Sequence, residues 1–194
     1  IKWAHWQLKA QDGNPWKARW YQKQIINDMV DGERRVAVRM GRRVGKTDTM
    51  LVYLLWYGVH HPNSRLLVVT PYENQIRLIF MRIEELARTS DDLRESIKIT
   101  KSPFTGKLSN GSVILGFTAG ANAGSQAGAS TRGQRADWVF LDECDYMSTE
   151  GIEAVTSIAL ESEHIGIWLS STPTGKREYF YKAFEYPEMG YNAY

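Results

Sequence analysis

The segment Gly41-Arg42-Arg43-Val44-Gly45-Lys46-Thr47 separates two stretches of different periodicity, and no other feature limits the fold of this chain as strongly. Ahead of it, Arg35 to Met40 alternates basic and apolar residues (Val36, Val38, Met40), the pattern of a short strand. Behind it, Lys46 to Val59 reads as a helix. A strand that passes through a glycine turn into a helix N-terminus is the context of a phosphate loop. Each residue type has a physical reason to be there. Gly45 lets backbone N–H groups approach a phosphate, and Lys46 reaches the β- and γ-phosphates as a point charge. The Thr47 hydroxyl can hold Mg²⁺, and the helix N-terminus adds partial positive charge. One position departs from the ordinary pattern: Met40 stands where the first glycine is expected, and Gly41 comes one place late.

The remainder of the chain predicts an α/β domain. A helix is expected over Ala18 to Val30, with Trp20, Ile25, Ile26 and Met29 as its apolar positions. Leu66 to Val69 is a compact apolar run ending at Thr70-Pro71, typical of a strand buried on both faces. Ile76, Ile79, Phe80, Ile83 and Leu86 follow at helical spacing. Ile97 to Thr100 and Ser112 to Phe117 read as strands, with an Asn110-Gly111 turn before the second. Trp138 to Leu141 and Ile165 to Leu169 are further buried strands, with a helix over Gly151 to Leu160 between them. Alternating strands and helices predict a mostly parallel central sheet flanked by helices. Ligands in such sheets bind beyond the carboxyl ends of the strands. Ala119 to Gly128, rich in Gly, Ala and Ser, reads as a loop.

Two acid- and hydroxyl-bearing clusters sit at predicted strand ends. Val139-Phe140-Leu141 delivers Asp142-Glu143, the pattern of a Walker B strand. There Asp142 would hold Mg²⁺ and Glu143 would polarise an attacking water. Asp145 is either a further site residue or a helix cap. Ser170-Ser171-Thr172-Pro173 places hydroxyls where they can sense a γ-phosphate, or serves as a cap followed by a proline stop. Before the first strand, Gln22 could read the edge of an adenine while an aromatic side chain packs on the base.

Charge and cysteine content narrow the rest. The net charge is only +2, yet Arg34, Arg35, Arg39, Arg42, Arg43 and Lys46 crowd around the candidate loop. That concentrates positive potential where a phosphate would bind. Cys144 is the only cysteine, which excludes an internal disulfide and a cysteine-based zinc site. No stretch approaches the ~20 apolar residues of a membrane helix. The chain opens Ile1-Lys2-Trp3 with no initiator Met and no signal-peptide pattern, so it is expected to be a piece of a longer protein.

In this order, the clusters resemble the ATPase domain of the large terminase subunit of tailed bacteriophages, over nearly the whole chain. Arg19-Trp20-Tyr21-Gln22 resembles that family's adenine-binding motif, and Gly41 to Thr47 its deviant Walker A, in which a small residue and an Arg precede the loop. Asp142-Glu143 matches its Walker B pair, and Ser171-Thr172-Pro173-Thr174-Gly175 its coupling motif. The resemblance implies a P-loop NTPase of the RecA-like ASCE type, occupying 1–194 as one ATPase domain without the family's C-terminal nuclease. It implies that ATP is bound by Arg19, Gln22, Gly41, Arg42, Arg43, Val44, Gly45, Lys46 and Thr47, with Mg²⁺ on Thr47 and Asp142. Glu143, Arg42, Lys46 and Arg132 would carry the catalysis, and Ser171 and Thr172 the coupling. Arg132, or else Arg135, would reach a neighbouring subunit's ATP. The implied partners are double-stranded DNA, a homo-oligomeric ring on the portal and the small terminase subunit, with no membrane. The implied place is the cytoplasm of an infected bacterium.

Two rival readings share parts of this pattern. Asp142-Glu143-Cys144-Asp145 also matches a DEAD-box variant, and Ser170-Ser171-Thr172 is one residue from the Ser-Ala-Thr of those superfamily 2 helicases. Arg42-Arg43, the Thr70 to Gln75 segment and the Thr-Pro-Thr-Gly continuation favour the terminase. A non-hydrolysing nucleotide switch would not need Glu143.

Overall fold

The computed structural model describes residues 1–10, 12–119, 135–160 and 164–194, with the backbone alone for 158–160. Its frame is one sheet of eight strands: β1 Arg35–Arg39, β2 Arg65–Thr70, β3 Ile97–Lys101, β4 Phe104–Leu108, β5 Val113–Thr118, β6 Trp138–Asp142, β7 Gly166–Ser171 and β8 Asn192–Ala193. They lie in the order β3-β4-β5-β2-β6-β7-β1-β8. All neighbours from β5 to β8 run parallel, while β3, β4 and β5 form an antiparallel edge. The helices are α1 Lys2–Gln7, α2 Trp20–Val30, α3 Lys46–His60, α4 Glu73–Arg88, α5 Asp91–Arg94, α6 Thr149–Leu160 and α7 Tyr179–Glu185.

The central strands are apolar on both faces because both faces are covered. Side chains alternate across a strand, so each strand feeds two cores. Leu66, Val68, Trp138, Phe140 and Trp168 pack with α2, α3 and α4. Leu67, Val69, Val139, Leu141, Ile167 and Leu169 pack on the other side with Ile152, Val155 and Phe180. Space is tight where β6 and β7 begin: a Cβ on Gly166 would fall 2.2 Å from the Trp138 ring, so any larger residue displaces the indole.

The predicted strands and helices are all present, with ends shifted by up to three residues. Three features differ. Trp20, expected to face the core, is 77% exposed. It is the first residue of α2, and its side chain leans back beyond the packed face. Strand β4 was not predicted, since Phe-Thr-Gly-Lys-Leu is short and interrupted by glycine. Strand β8 has two residues and takes its conformation from pairing with Val36 and Ala37. Ala119 is buried, and the rest of the predicted Gly/Ala/Ser loop lies outside the described residues. Among the described residues no helix is long and apolar enough to cross a membrane.

One feature of the topology sets up the site. β7 stands between β1, which leads into the phosphate loop, and β6, which carries the acids. With parallel neighbours ~4.8 Å apart, the loop and the acids are separated by roughly 10 Å. Side chains from the loop and from β6 meet across that gap, over the tip of β7.

Candidate nucleotide site

Beyond β1 the chain turns tightly. Arg43 (φ 62°) and Gly45 (φ 86°) both adopt left-handed backbone. At Gly45 a Cβ would also meet Gln22 Nε2 at 2.8 Å, so conformation and space both demand glycine. The turn opens α3, whose first residues Lys46, Thr47 and Asp48 line a cleft of about 890 Å³. That volume lies within the ~300–1,000 Å³ of small-molecule sites. Gly41, Arg42, Arg43, Val44, Gly45, Lys46 and Thr47 line it, as do Arg19, Gln22 and Glu143. All the predicted nucleotide-contacting residues therefore converge on one cavity.

The basic run divides on folding. Arg42 and Arg43 are exposed along the cleft, and Lys46 is buried at its base. Arg34 instead lies over the Tyr57 and Trp138 rings, at 5.9 and 5.5 Å. Arg39 pairs with Glu185 at 3.0 Å and covers the Phe184 ring. Those two arginines serve packing.

Two short contacts bridge the gap between loop and acids. Lys46 Nζ pairs with Glu143 Oε1 at 3.2 Å, and Thr47 Oγ1 donates to Asp142 Oδ2 at 2.8 Å. The tip of β7 contributes hydroxyls. Ser170 Oγ donates to Asp142 Oδ1 at 2.7 Å, and Ser171 Oγ lies 3.4 Å from Glu143 Oε2. Asp142 is buried, and burial pushes its carboxyl pKa up against the opposing pull of Lys46, Ser170 and Thr47. Glu143 sits in left-handed backbone (φ 58°), an uncommon state for a non-glycine residue and one that concentrates at functional sites. Asp145 resolves its two predicted alternatives by neither capping a helix nor facing the cleft. Its Oδ2 accepts from the Thr174 N–H and from Thr174 Oγ1, both at 2.6 Å, while its own N–H donates to Ser171 Oγ. It fastens the segment after β7 to the segment after β6.

The segment expected to read adenine lines the cleft and also braces the loop. Gln22 is buried, and its Nε2 donates to the Gly45 carbonyl at 3.2 Å and to Thr49 Oγ1 at 3.0 Å. Its Oε1 accepts the Arg19 N–H at 2.9 Å. The amide hydrogens are thus committed to the loop and the first turn of α3, leaving one lone pair on Oε1 for another donor. Tyr21 OH donates to the Val44 carbonyl at 2.6 Å, bracing the same loop, and Arg19 Nη1 donates to Tyr21 OH. Gln22→Ala is therefore expected to loosen the loop: the Gly45 carbonyl and Thr49 Oγ1 keep each other, but the Arg19 N–H loses its acceptor and the loop its brace, at about 1–3 kcal/mol. Thermal unfolding and ADP titration would register it as a lower midpoint together with weaker binding. A variant unchanged in both would remove Gln22 from the support of the loop.

Other expected site residues fall less centrally. Thr172 does not touch the acids: its hydroxyl is buried with no hydrogen-bond partner among the described residues. Arg132 lies outside the described residues. Arg135 is exposed ahead of β6, at the end of that strand opposite Asp142. Sequence reasoning named Ser170 and Thr174 without their partners Asp142 and Asp145, and it missed Arg82. Arg82, on α4, lines the cleft and pairs with Asp48 at 3.0 Å and Glu85 at 2.7 Å. An arginine on the apolar-spaced face of α4 was the available signal for it.

Thr47 and Asp142 offer hard oxygen donors side by side, the kind Mg²⁺ takes when phosphates and waters complete its shell. The described residues contain no group of three or more His, Cys, Asp or Glu that could hold a metal alone. The donor set therefore fits a cation that arrives with a nucleotide.

The family model described as phage terminase large subunit gpA, ATPase domain, matches residues 11–177. The large terminase of bacteriophage HK97 has a TM-score of 0.78 at 18% identity, over 94% of this chain and 39% of that one. The ATPase domain of the Thermus phage P74-26 large terminase gives 0.68 at 20% identity, over 87% and 70%. The large terminase of another thermophilic bacteriophage, in complex with ADP, gives 0.69 at 14% identity, over 91% and 45%. At such identities the structures speak for the shared fold. No curated protein sequence matches the chain.

Proposed function

Because the chain belongs to the phage terminase large subunit gpA ATPase-domain family, and so is an ATP hydrolase, we propose that it converts hydrolysis into translocation of double-stranded DNA into a procapsid. The chain spans 39% of the HK97 terminase and 45% of the ADP-bound one, so what a whole large subunit does belongs to this proposal. The family match also sets aside the helicase alternative. One observation supports the hydrolytic assignment above all: Lys46 with Glu143, and Thr47 with Asp142, face each other across the tip of β7.

ATP binds along the cleft, with its phosphates on the loop amides, Lys46 and Arg42. Mg²⁺, held by Thr47 and Asp142, would neutralise charge on the β- and γ-phosphates. The γ-phosphate competes with Glu143 for Lys46, and the released carboxylate turns to a water and accepts its proton. Ser171 reports the change through Asp145 and Thr174 to the segment after β7, with Thr172 in the same stretch. A neighbouring subunit in a homo-oligomeric ring on the portal supplies Arg132 to the γ-phosphate, and the small terminase subunit delivers the DNA.

DNA is gripped by its phosphates. Affinity for random-sequence duplex is therefore expected to fall by an order of magnitude or more between about 50 and 200 mM salt, with little change between sequences. Fluorescence anisotropy across a salt series checks this. The wider proposal is tested by ATP turnover in the assembled enzyme with and without duplex DNA. Turnover that DNA leaves unchanged, with no movement of DNA, would sink the motor reading.

A further inference from the structure

Beside the nucleotide cleft lies a second, smaller cavity of about 210 Å³. Thr47, Asp142 and Glu143 line it on one side, and Thr70, Gln75 and Ile79 on the other. Thr47, Glu143 and Arg82 line both cavities, so the two meet at Glu143. Gln75 is the third residue of α4, a helix that begins just beyond the tip of β2. Its backbone N–H is satisfied by the Tyr72 carbonyl at 3.0 Å, but its side-chain Oε1 is buried with no hydrogen-bond partner among the described residues. A buried amide oxygen without a partner is costly, and natural proteins seldom keep one without a use. The polar groups around it are already engaged. Thr70 Oγ1 donates to the Tyr72 carbonyl, Thr47 Oγ1 to Asp142, and Arg82 is held by Asp48 and Glu85. A cavity of this size has room for water, and Glu143 and the Gln75 amide would give it two partners.

We propose that Gln75 is a catalytic residue of the hydrolysis, its amide oxygen holding the attacking water for Glu143. The inference rests on the reading of Glu143 as the base. The water donates one hydrogen to Gln75 Oε1 and the other to the Glu143 carboxylate. Its oxygen forms the new bond to the γ-phosphorus as the bond from that phosphorus to the β,γ-bridging oxygen breaks. ADP leaves, and the water's proton passes to Glu143 and then to the phosphate. Two acceptors aim the lone pair of the water, where one carboxylate would leave it free to swivel. A glutamine that orients water is a recurring device in phosphoryl transfer.

The test compares Gln75→Leu and Gln75→Glu with the parent in the assembled, DNA-stimulated enzyme. Gln75→Leu removes the acceptor at similar volume. It is expected to lower kcat by about 10–100-fold, the scale of one or two hydrogen bonds to the transition state, with KM for ATP and ADP affinity within about twofold. Gln75→Glu keeps an acceptor at the same place, so it is expected to retain more of kcat than Gln75→Leu. An unchanged kcat in Gln75→Leu overturns the proposal, as does a KM that rises in step with a falling kcat. Should Gln75→Leu fail to fold, Gln75→Met takes its place in the same assay, and an unchanged kcat there overturns the proposal. Glu143→Gln in the same assay separates the two readings. If it abolishes turnover while Gln75→Leu leaves kcat unchanged, only the role of Gln75 fails. If it leaves turnover intact, the reading of the whole site fails.

Discussion

Lys46→Ala is expected to reduce ATP turnover by about 10²–10³-fold or more, the range for removing one preorganised donor from a developing charge. Lys46 also binds the ground-state phosphates, so ATP affinity should fall with it, unlike a loss confined to the transition state. A second effect appears without nucleotide. Lys46 is buried, and its amine is the cation that opposes the burial of Asp142 and pairs with Glu143. Removing it leaves two carboxylates facing each other with no positive charge between them. The Asp142 carboxyl, already pushed up by burial, should rise further. The folded state then holds its proton at a pH where the unfolded chain has released it, so the variant loses stability as pH rises through that window. Paired measurements of ATP binding and of thermal midpoint against pH check both effects. A variant that binds ATP like its parent would remove Lys46 from the phosphate site.

The parts of this fold legible in sequence are those in which one segment suffices. β2, β6 and β7 are buried on both faces, so each is a continuous apolar run that no polar pattern interrupts. The five apolar positions of α4 at helical spacing are all buried. β4 and β8 were hidden because their conformation comes from neighbouring strands rather than from their own residues. Trp20 misled because helical periodicity gives a direction but not the point at which the packed surface ends.

The site divides the same way. Lys46, Thr47, Asp142 and Glu143 are visible because a strand-to-helix turn and an acid-tipped strand are local patterns. Their mutual placement is not local: it follows from the insertion of β7 between β1 and β6. That insertion brings Ser170 to Asp142 and Ser171 to Glu143, pairs 28 residues apart in sequence. Gln22 has a second role that its motif did not announce. Its residue type and position suggested contact with the base, yet the glycine that frees the loop also leaves room for the Gln22 amide beneath it. The motif that reads as ligand recognition is in this structure part of the loop's support.

Glu143→Gln is expected to lower turnover by about 10²–10⁴-fold, the contribution of a positioned general base. The substitution keeps the size of the side chain and its place at the start of the turn after β6. Gln at this position meets the same left-handed backbone (φ 58°) that Glu already tolerates, so no new strain enters. What disappears is the negative charge. The variant cannot accept the water's proton, and it no longer competes with phosphate for Lys46. These two losses act in opposite directions on different measurements. ATP should bind as well as to the parent, or more tightly, because Lys46 is released from its ion pair, while phosphate release nearly stops. Equilibrium binding of ATP and single-turnover phosphate release, measured on the same preparation, separate the two. The sign of the affinity change carries the argument. If both binding and turnover collapse, Glu143 is a structural anchor for Lys46 rather than a base. If turnover persists with tighter binding, the proton goes elsewhere and the water must be activated by another group.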